Sequence, residues 1–225
     1  MQTYEKILEG IAAVLFDLDG TLVDSNEAHA RAWADAFAEH GHTLDLFIIK
    51  SLIGMSSDKL ITQAVGRQSE AEVEALTRRR SEIFHEKYLQ DVYPIDKANE
   101  LIVLLKNRGL RVLLATAADK KDREALLRRG RLQGQFQGGA DASDVEESKP
   151  APDTLLACLE GHELEPSQCL VIGDTPYDGR AAHDAGMRFL GVETGGYNRD
   201  TLSNAAKVVP SVTAIYHALT ASVSS

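Results

Sequence analysis

The chain has 225 residues, 44% hydrophobic and 26% charged, an ordinary globular composition with length for one large domain or two modest ones. A formal net charge of −10 argues against a nucleic-acid partner, which calls for a basic face, and no apolar run reaches the ~18 residues of a membrane span. The two cysteines, Cys158 and Cys169, form no CxxC pair and read as small buried hydrophobes in a reduced compartment; with no secretory pattern in MQTYEKILEG, the expected location is the cytoplasm.

In chain order, residues 11–16 form an apolar run that reads as a buried strand. From about residue 25 to 91 no strand signal follows. Instead Ala28, Ala32, Trp33, Ala36 and Phe37 recur at helical spacing, as do Val73, Leu76, Arg80, Ile83, Phe84 and Tyr88. This stretch, residues 24–91, reads as a helical subdomain inserted after the first strand, with 1–23 and 92–225 forming a discontinuous core. Beyond it, helical patterns at 98–106, 122–129, 154–159 and 180–185 alternate with strand patterns at 111–115, 169–172, 188–192 and 206–209, and with a weaker one near 136–140. That alternation predicts an α/β fold, a parallel sheet covered on both faces. The run Arg78-Arg79-Arg80, and Arg128, Arg129 and Arg131, read as solvated helix surface. The polar tail 221–225 is expected to fray.

Ligands in open α/β sheets bind beyond the carboxyl ends of the strands. The most unusual polar residues of this chain lie there. Asp17 and Asp19 follow the first strand, spaced so that both carboxylates can face one side, and Gly20 permits a tight turn. Thr116, with the amides from Ala117 onward, could hold a phosphate oxygen or simply cap a helix. Lys149, between Ser148 and the prolines Pro150 and Pro152, is a point charge suited to an anion. Asp174 could ligate a hard cation, and Asp178 could support it or act as the N-cap of a helix from 179. Together these residues predict phosphoryl chemistry. Asp17 would act as an ionised nucleophile and Asp19 as the proton donor and acceptor. Thr116, Ala117 and Lys149 would hold the phosphate, and Asp17, Asp174 and a carbonyl near Asp19 would hold Mg2+.

At this point the sequence resembles the haloacid dehalogenase superfamily, with its signatures in order: DLDGT from Asp17 to Thr21, then Thr116, Lys149, and GDTPYD from Gly173 to Asp178. The resemblance implies a Rossmann-like core with an inserted α-helical cap. Asp24, Ser25, His29 and Trp33 resemble the branch of phosphoglycolate phosphatases, sugar-phosphate phosphatases and β-phosphoglucomutases. His29 would then meet substrate as the cap closes, or sit as an ordinary helix-surface histidine. The acid at Asp19 favours phosphoryl transfer over dehalogenation. Ile53 and Ser57, around Gly54, replace the charged residues that mutases carry at those positions, which disfavours a phosphosugar mutase. The intact site set argues against a non-catalytic scaffold. The expected activity is a magnesium-dependent phosphatase for a small phosphorylated metabolite, with no reading of oligomeric state.

Overall fold

The computed structural model describes residues 2–221. Six strands form one parallel sheet: β1 (Ala13–Phe16), β4 (Arg111–Ala115), β5 (Gly139–Ala140), β6 (Cys169–Gly173), β7 (Arg188–Val192) and β8 (Lys207–Val209). Their spatial order is β5-β4-β1-β6-β7-β8. A separate antiparallel pair, β2 (Val23–Asp24) and β3 (Tyr93–Pro94), joins Val23 to Pro94 and Asp24 to Tyr93. Strands of two residues are too short to leave a periodic signal, so this pair is an addition to the sequence reading.

Ten helices accompany the strands among the described residues: α1 (Gln2–Leu8), α2 (Asn26–Glu39), α3 (Leu46–Lys50), α4 (Ser57–Val65), α5 (Glu70–Ile83), α6 (Ala98–Asn107), α7 (Lys120–Arg129), α8 (Asp153–Ala157), α9 (Pro176–Asp184) and α10 (Val212–Ala221). A π-helical turn, Phe84–Tyr88, continues α5. The sequence reading lacks α10, whose buried residues Val212, Ile215 and Leu219 recur at helical spacing. Of the tail expected to fray, residues 222–225 lie outside the described residues.

The strands are short continuous apolar runs because both faces are covered. Alternation within β1 divides the core. Val14 and Phe16 join Leu101, Leu105, Ile215 and Leu219 on one face. Ala13 and Leu15 join Leu155, Ala181 and both cysteines on the other. Cys158 and Cys169 are buried and free, and burial pushes their thiols up to about 12 and about 11. Helices α2 to α5 close a third core of their own around Trp33, Phe37, Ile49, Leu60 and Leu76. This helical layer lies between β2 and β3 in sequence and covers the carboxyl end of the sheet.

Candidate active site

Strand β1 pairs with β4 on one side and β6 on the other, so three neighbouring strand ends deliver Asp17, Thr116 and Asp174 to one edge. The turn after Asp19 depends on Gly20, which has φ +71° and whose Cβ, if present, would overlap the Asp174 carboxylate. Lys149 enters this edge from the loop before α8 and is 1% exposed. Its Nζ lies 2.5 Å from Asp17 Oδ1 and 2.7 Å from Asp178 Oδ1, and donates to the Ala115 carbonyl at 2.8 Å.

Asp17, Asp174 and Asp178 bring three carboxylate oxygens within 4.8 Å of one another, all buried. Among the described residues, Asp174 accepts from two neutral side-chain donors, Thr21 Oγ1 at 2.9 Å and Asn26 Nδ2 at 3.0 Å. The expectation that Asp178 is a helix N-cap needs correction. Helix α9 begins at Pro176, Thr175 is its N-cap, and Asp178 closes a capping box by accepting from Thr175 N and Oγ1 at 3.1 and 2.7 Å. Proline at the first helical position, where no donor is needed, fixes that earlier start. Asp178 therefore turns one oxygen to the cap and the other to Lys149.

Burial pushes Asp17 well above the usual carboxylate range; Lys149 opposes this, while Asp178, Asp174 and Asp19 reinforce it. Burial, with Asp178 beside it, pushes Asp174 up to about 7. Burial works against the Lys149 ammonium too, yet Asp17 and Asp178 hold it above the ordinary lysine range. One ammonium thus faces three carboxylates. An oxygen-only donor set with excess negative charge fits a hard divalent cation.

Asp19 turns its carboxylate away from those three. It accepts from Ser25 Oγ at 2.5 Å and lies 2.9 Å from His29 Nε2. Burial would raise Asp19, but His29 and Ser25 hold it below its ordinary value. His29 is not on the helix surface. It is 7% exposed and stacks on Phe84 with ring centroids 4.1 Å apart. Thr116 is fully buried and accepts the Ala118 N–H at 3.1 Å, a local cap-like bond. Ala117 and Ala118 line the same cavity as Asp17, Asp19 and His29, a space of about 50 Å³ to which the helical layer contributes Trp33, Ile53, Met55 and Leu60.

Two residues of this cavity escape the sequence reading. Arg80, assigned there to solvated surface, is 6% exposed and lines the cavity. Its Nη1 donates to Asp122 Oδ2 at 2.5 Å, and its guanidinium lies over the Trp33 ring at 5.2 Å. Asp122, on α7, also accepts from Ser81 Oγ at 3.1 Å and lies 2.8 Å from His85 Nε2. The signal was present: Arg80 occupies an apolar position of the α5 stripe, between Leu76 and Ile83.

Residues 14–192 match the family model described as haloacid dehalogenase-like hydrolase. The chain belongs to that family and is a hydrolase of it. It is 31% identical over 183 residues to the fructose-1-phosphate phosphatase YqaB of Escherichia coli, covering 80% of this chain and 95% of that protein. It is 30% identical over 194 residues to a phosphoglycolate phosphatase of Nitrosospira multiformis, covering 84% and 85%. A crystal structure of a hydrolase from Pseudomonas syringae superposes with a TM-score of 0.86 at 26% identity, over 92% of this chain and 97% of that one.

Proposed function

We propose that this protein is a magnesium-dependent phosphatase that hydrolyses a small phosphate monoester, of sugar-phosphate or phosphoglycolate type, through an aspartyl-phosphate on Asp17. The observation that carries the reading is the Asp17 carboxylate, exposed to the cavity beneath the helical layer, with buried Lys149 on one oxygen and Asp174 and Asp178 within 4.8 Å. The names of the two phosphatase relatives support the same class.

In this mechanism Asp17 attacks phosphorus and the ester oxygen leaves. Lys149 neutralises charge on Asp17 and on the phosphate, and the Ala117 amide donates to a phosphate oxygen, with Thr116 ordering that turn by accepting the Ala118 N–H. Asp17, Asp174 and a backbone carbonyl near Asp19 would hold Mg2+, with Asp178 supporting them through Lys149, and the ion when bound offsets the repulsion between these carboxylates and an incoming dianion. Asp19, ionised in the free protein, takes up a proton as the phosphate dianion enters beside it, delivers that proton to the leaving oxygen and later takes one from the water that cleaves the acyl phosphate, with His29 and Ser25 fixing its orientation. Residues 24–91 act as a cap that opens for substrate and then limits water around Asp17. At the cap, Ile53 and Ser57 supply neither charge nor reach to retain a second acceptor alcohol, so water is the acceptor.

The test is release of inorganic phosphate from a panel of phosphorylated metabolites and an aryl phosphate. Turnover is expected with magnesium and none in excess chelator. Full activity in chelator overturns the cation requirement. Faster appearance of a hexose 6-phosphate than of inorganic phosphate from a hexose 1-phosphate overturns the hydrolase assignment in favour of a mutase.

A further inference from the structure

Where β3 leads from the helical layer back into the core, a cavity of about 470 Å³ lies between that strand and the end of α7. Its volume falls within the ~300–1,000 Å³ of small-molecule sites, and it shares no lining residue with the cavity over Asp17. Arg128, Arg129, Arg131 and Tyr93 line it, and no carboxylate does among the described residues. A chain of net charge −10 thus gathers three cations around one opening.

The three arginines differ. Arg129 is committed to the link, donating to the Val92 carbonyl at 3.1 and 2.9 Å and to the Gln90 carbonyl at 2.6 Å, with its guanidinium 5.9 Å from the centre of the Tyr93 ring. Arg128 and Arg131 are exposed, and among the described residues neither forms an ion pair. Arg128 suits the last turn of α7, where a cation meets the negative end of the helix. Arg131 lies beyond that turn and at a conformational cost. The helix closes with Leu132 N donating to the Leu127 carbonyl at 2.9 Å and Arg131 N to the Arg128 carbonyl at 3.2 Å, which puts Arg131 at the left-handed position, φ +56°, that glycine fills most easily. The glycine stands one residue earlier. Gly130 has φ −73°, and a Cβ there would come within 2.6 Å of Val23 Cγ1 on β2, so packing against the other link accounts for it. Tyr93 is 59% exposed, an aromatic ring beside two unpaired guanidinium groups.

We propose that this cavity is a second ligand site, for a nucleoside di- or triphosphate, with Arg128 and Arg131 holding its phosphates and Tyr93 stacking on its base. A guanidinium matches one phosphoryl group with two parallel hydrogen bonds, so two of them fit a ligand with two or more such groups. A planar base fits the exposed tyrosine ring. The disfavoured backbone at Arg131 is then kept because it holds a cation at the mouth of the cavity. The bound molecule joins the end of α7 to β3, so its presence registers at that link as well as in binding.

Calorimetry on the full chain, in excess chelator so that the acid cluster repels anions from the active site, compares ADP, ATP, AMP, pyrophosphate and citrate. ADP or ATP should bind about tenfold or more tighter than AMP or citrate, and about fivefold or more tighter than pyrophosphate. Arg131→Gly relieves the left-handed backbone, so its melting temperature should rise by roughly 2–4 °C while its affinity for ADP falls about tenfold or more. Arg128→Ser should weaken ADP to a similar degree. Tyr93→Leu should weaken ADP about fivefold and leave pyrophosphate unchanged. Hydrogen exchange at residues 92–94 should slow with ADP in the wild type and not in Arg131→Gly. No binding of ADP or ATP at millimolar concentration overturns the proposal. So does nucleotide binding that both arginine variants leave unchanged, which would put the nucleotide elsewhere. Citrate binding as tightly as ADP overturns the phosphate preference, and pyrophosphate binding as tightly as ADP overturns the stacking on Tyr93. Each outcome is read without turnover, so the site stands or falls whatever the phosphate-ester panel shows.

Discussion

Two carboxylates of this protein, Asp174 and Asp122, are both wholly buried and end in opposite electrostatic states. Asp122 receives Arg80, Ser81 and His85 from the helical layer, and although burial opposes ionisation, these partners hold it below its ordinary value. Among the described residues, Asp174 receives one side-chain hydroxyl and one side-chain amide, both neutral. The ammonium nearby is already committed to Asp17 and Asp178, so burial and Asp178 push Asp174 up to about 7. The first charge is neutralised within the protein and fastens one layer to the other. The second leaves negative charge to be met from outside. A satisfied buried charge makes structure, and an unsatisfied one among like charges marks a binding centre.

The largest effect is expected at the acid cluster and in activity. Asp17→Asn removes the nucleophile and keeps the shape, so turnover should fall by at least about 10³-fold with the fold intact. Steady-state kinetics beside circular dichroism and thermal melting provide the measurement. Residual turnover at a substantial fraction of wild type would remove the cluster's distinction from Asp122, because it would mean that Asp17 too is structural.

The acid cluster was legible in sequence because each member sits within a few residues of a strand end. Strands are recognisable apolar runs, and the topology of a parallel sheet forces neighbouring strand ends together. Asp17, Asp19, Thr116 and Asp174 could therefore be assigned to one edge from local patterns. Lys149 was legible as a point charge beside two stiffening prolines, and the resemblance strengthened it, although its double contact with Asp17 and Asp178 was not legible. The Asp122 site left no such trace. Asp122 lies in the first turn of α7, where an acid is ordinary, and Arg80 lies in a run of three arginines that reads as solvent-facing. Their pairing depends on how a layer of helices docks on a sheet, a long-range contact that helical periodicity does not encode. The apolar stripe through Leu76, Arg80 and Ile83 held the clue, since a charge at a core-facing position must find a buried partner.

The next effect is on stability, and it should separate the two acids. Asp122→Ala strands Arg80 inside the protein, and breaking a buried pair from one side costs about 3–5 kcal/mol. Asp174→Ala, in chelator, removes a charge that the fold leaves poorly compensated and should cost far less. Denaturant unfolding of both variants checks the difference. Magnesium should raise wild-type stability and lose that effect in Asp174→Ala, while leaving the deficit of Asp122→Ala in place. Equal losses at the two sites in chelator would mean that Asp174 is as well satisfied as Asp122.

The smallest effect is in acid, and its sign follows from the same contrast. Asp122 titrates below its ordinary value of 3.8 in the folded protein, so over that interval the unfolded chain binds more protons than the native one. Its contribution to stability is complete above 3.8 and is lost as pH falls through the lower, native value. Asp174 runs the other way. Its native value, about 7, lies above 3.8, so in chelator its ionisation removes stability as pH rises from one to the other. Wild-type protein should therefore lose stability in two directions, below about pH 4 through Asp122 and toward neutrality through Asp174. Asp122→Asn cannot titrate at that position, so the stability gap between it and the wild type should narrow as pH falls through the acid range. Magnesium should flatten the neutral side alone. Unfolding free energies measured from acid to neutral pH, for both proteins and with or without magnesium, check both slopes. A gap that stays constant through acid pH would mean that Asp122 titrates alike in the folded and unfolded chain, and that Arg80, Ser81 and His85 do not hold its charge.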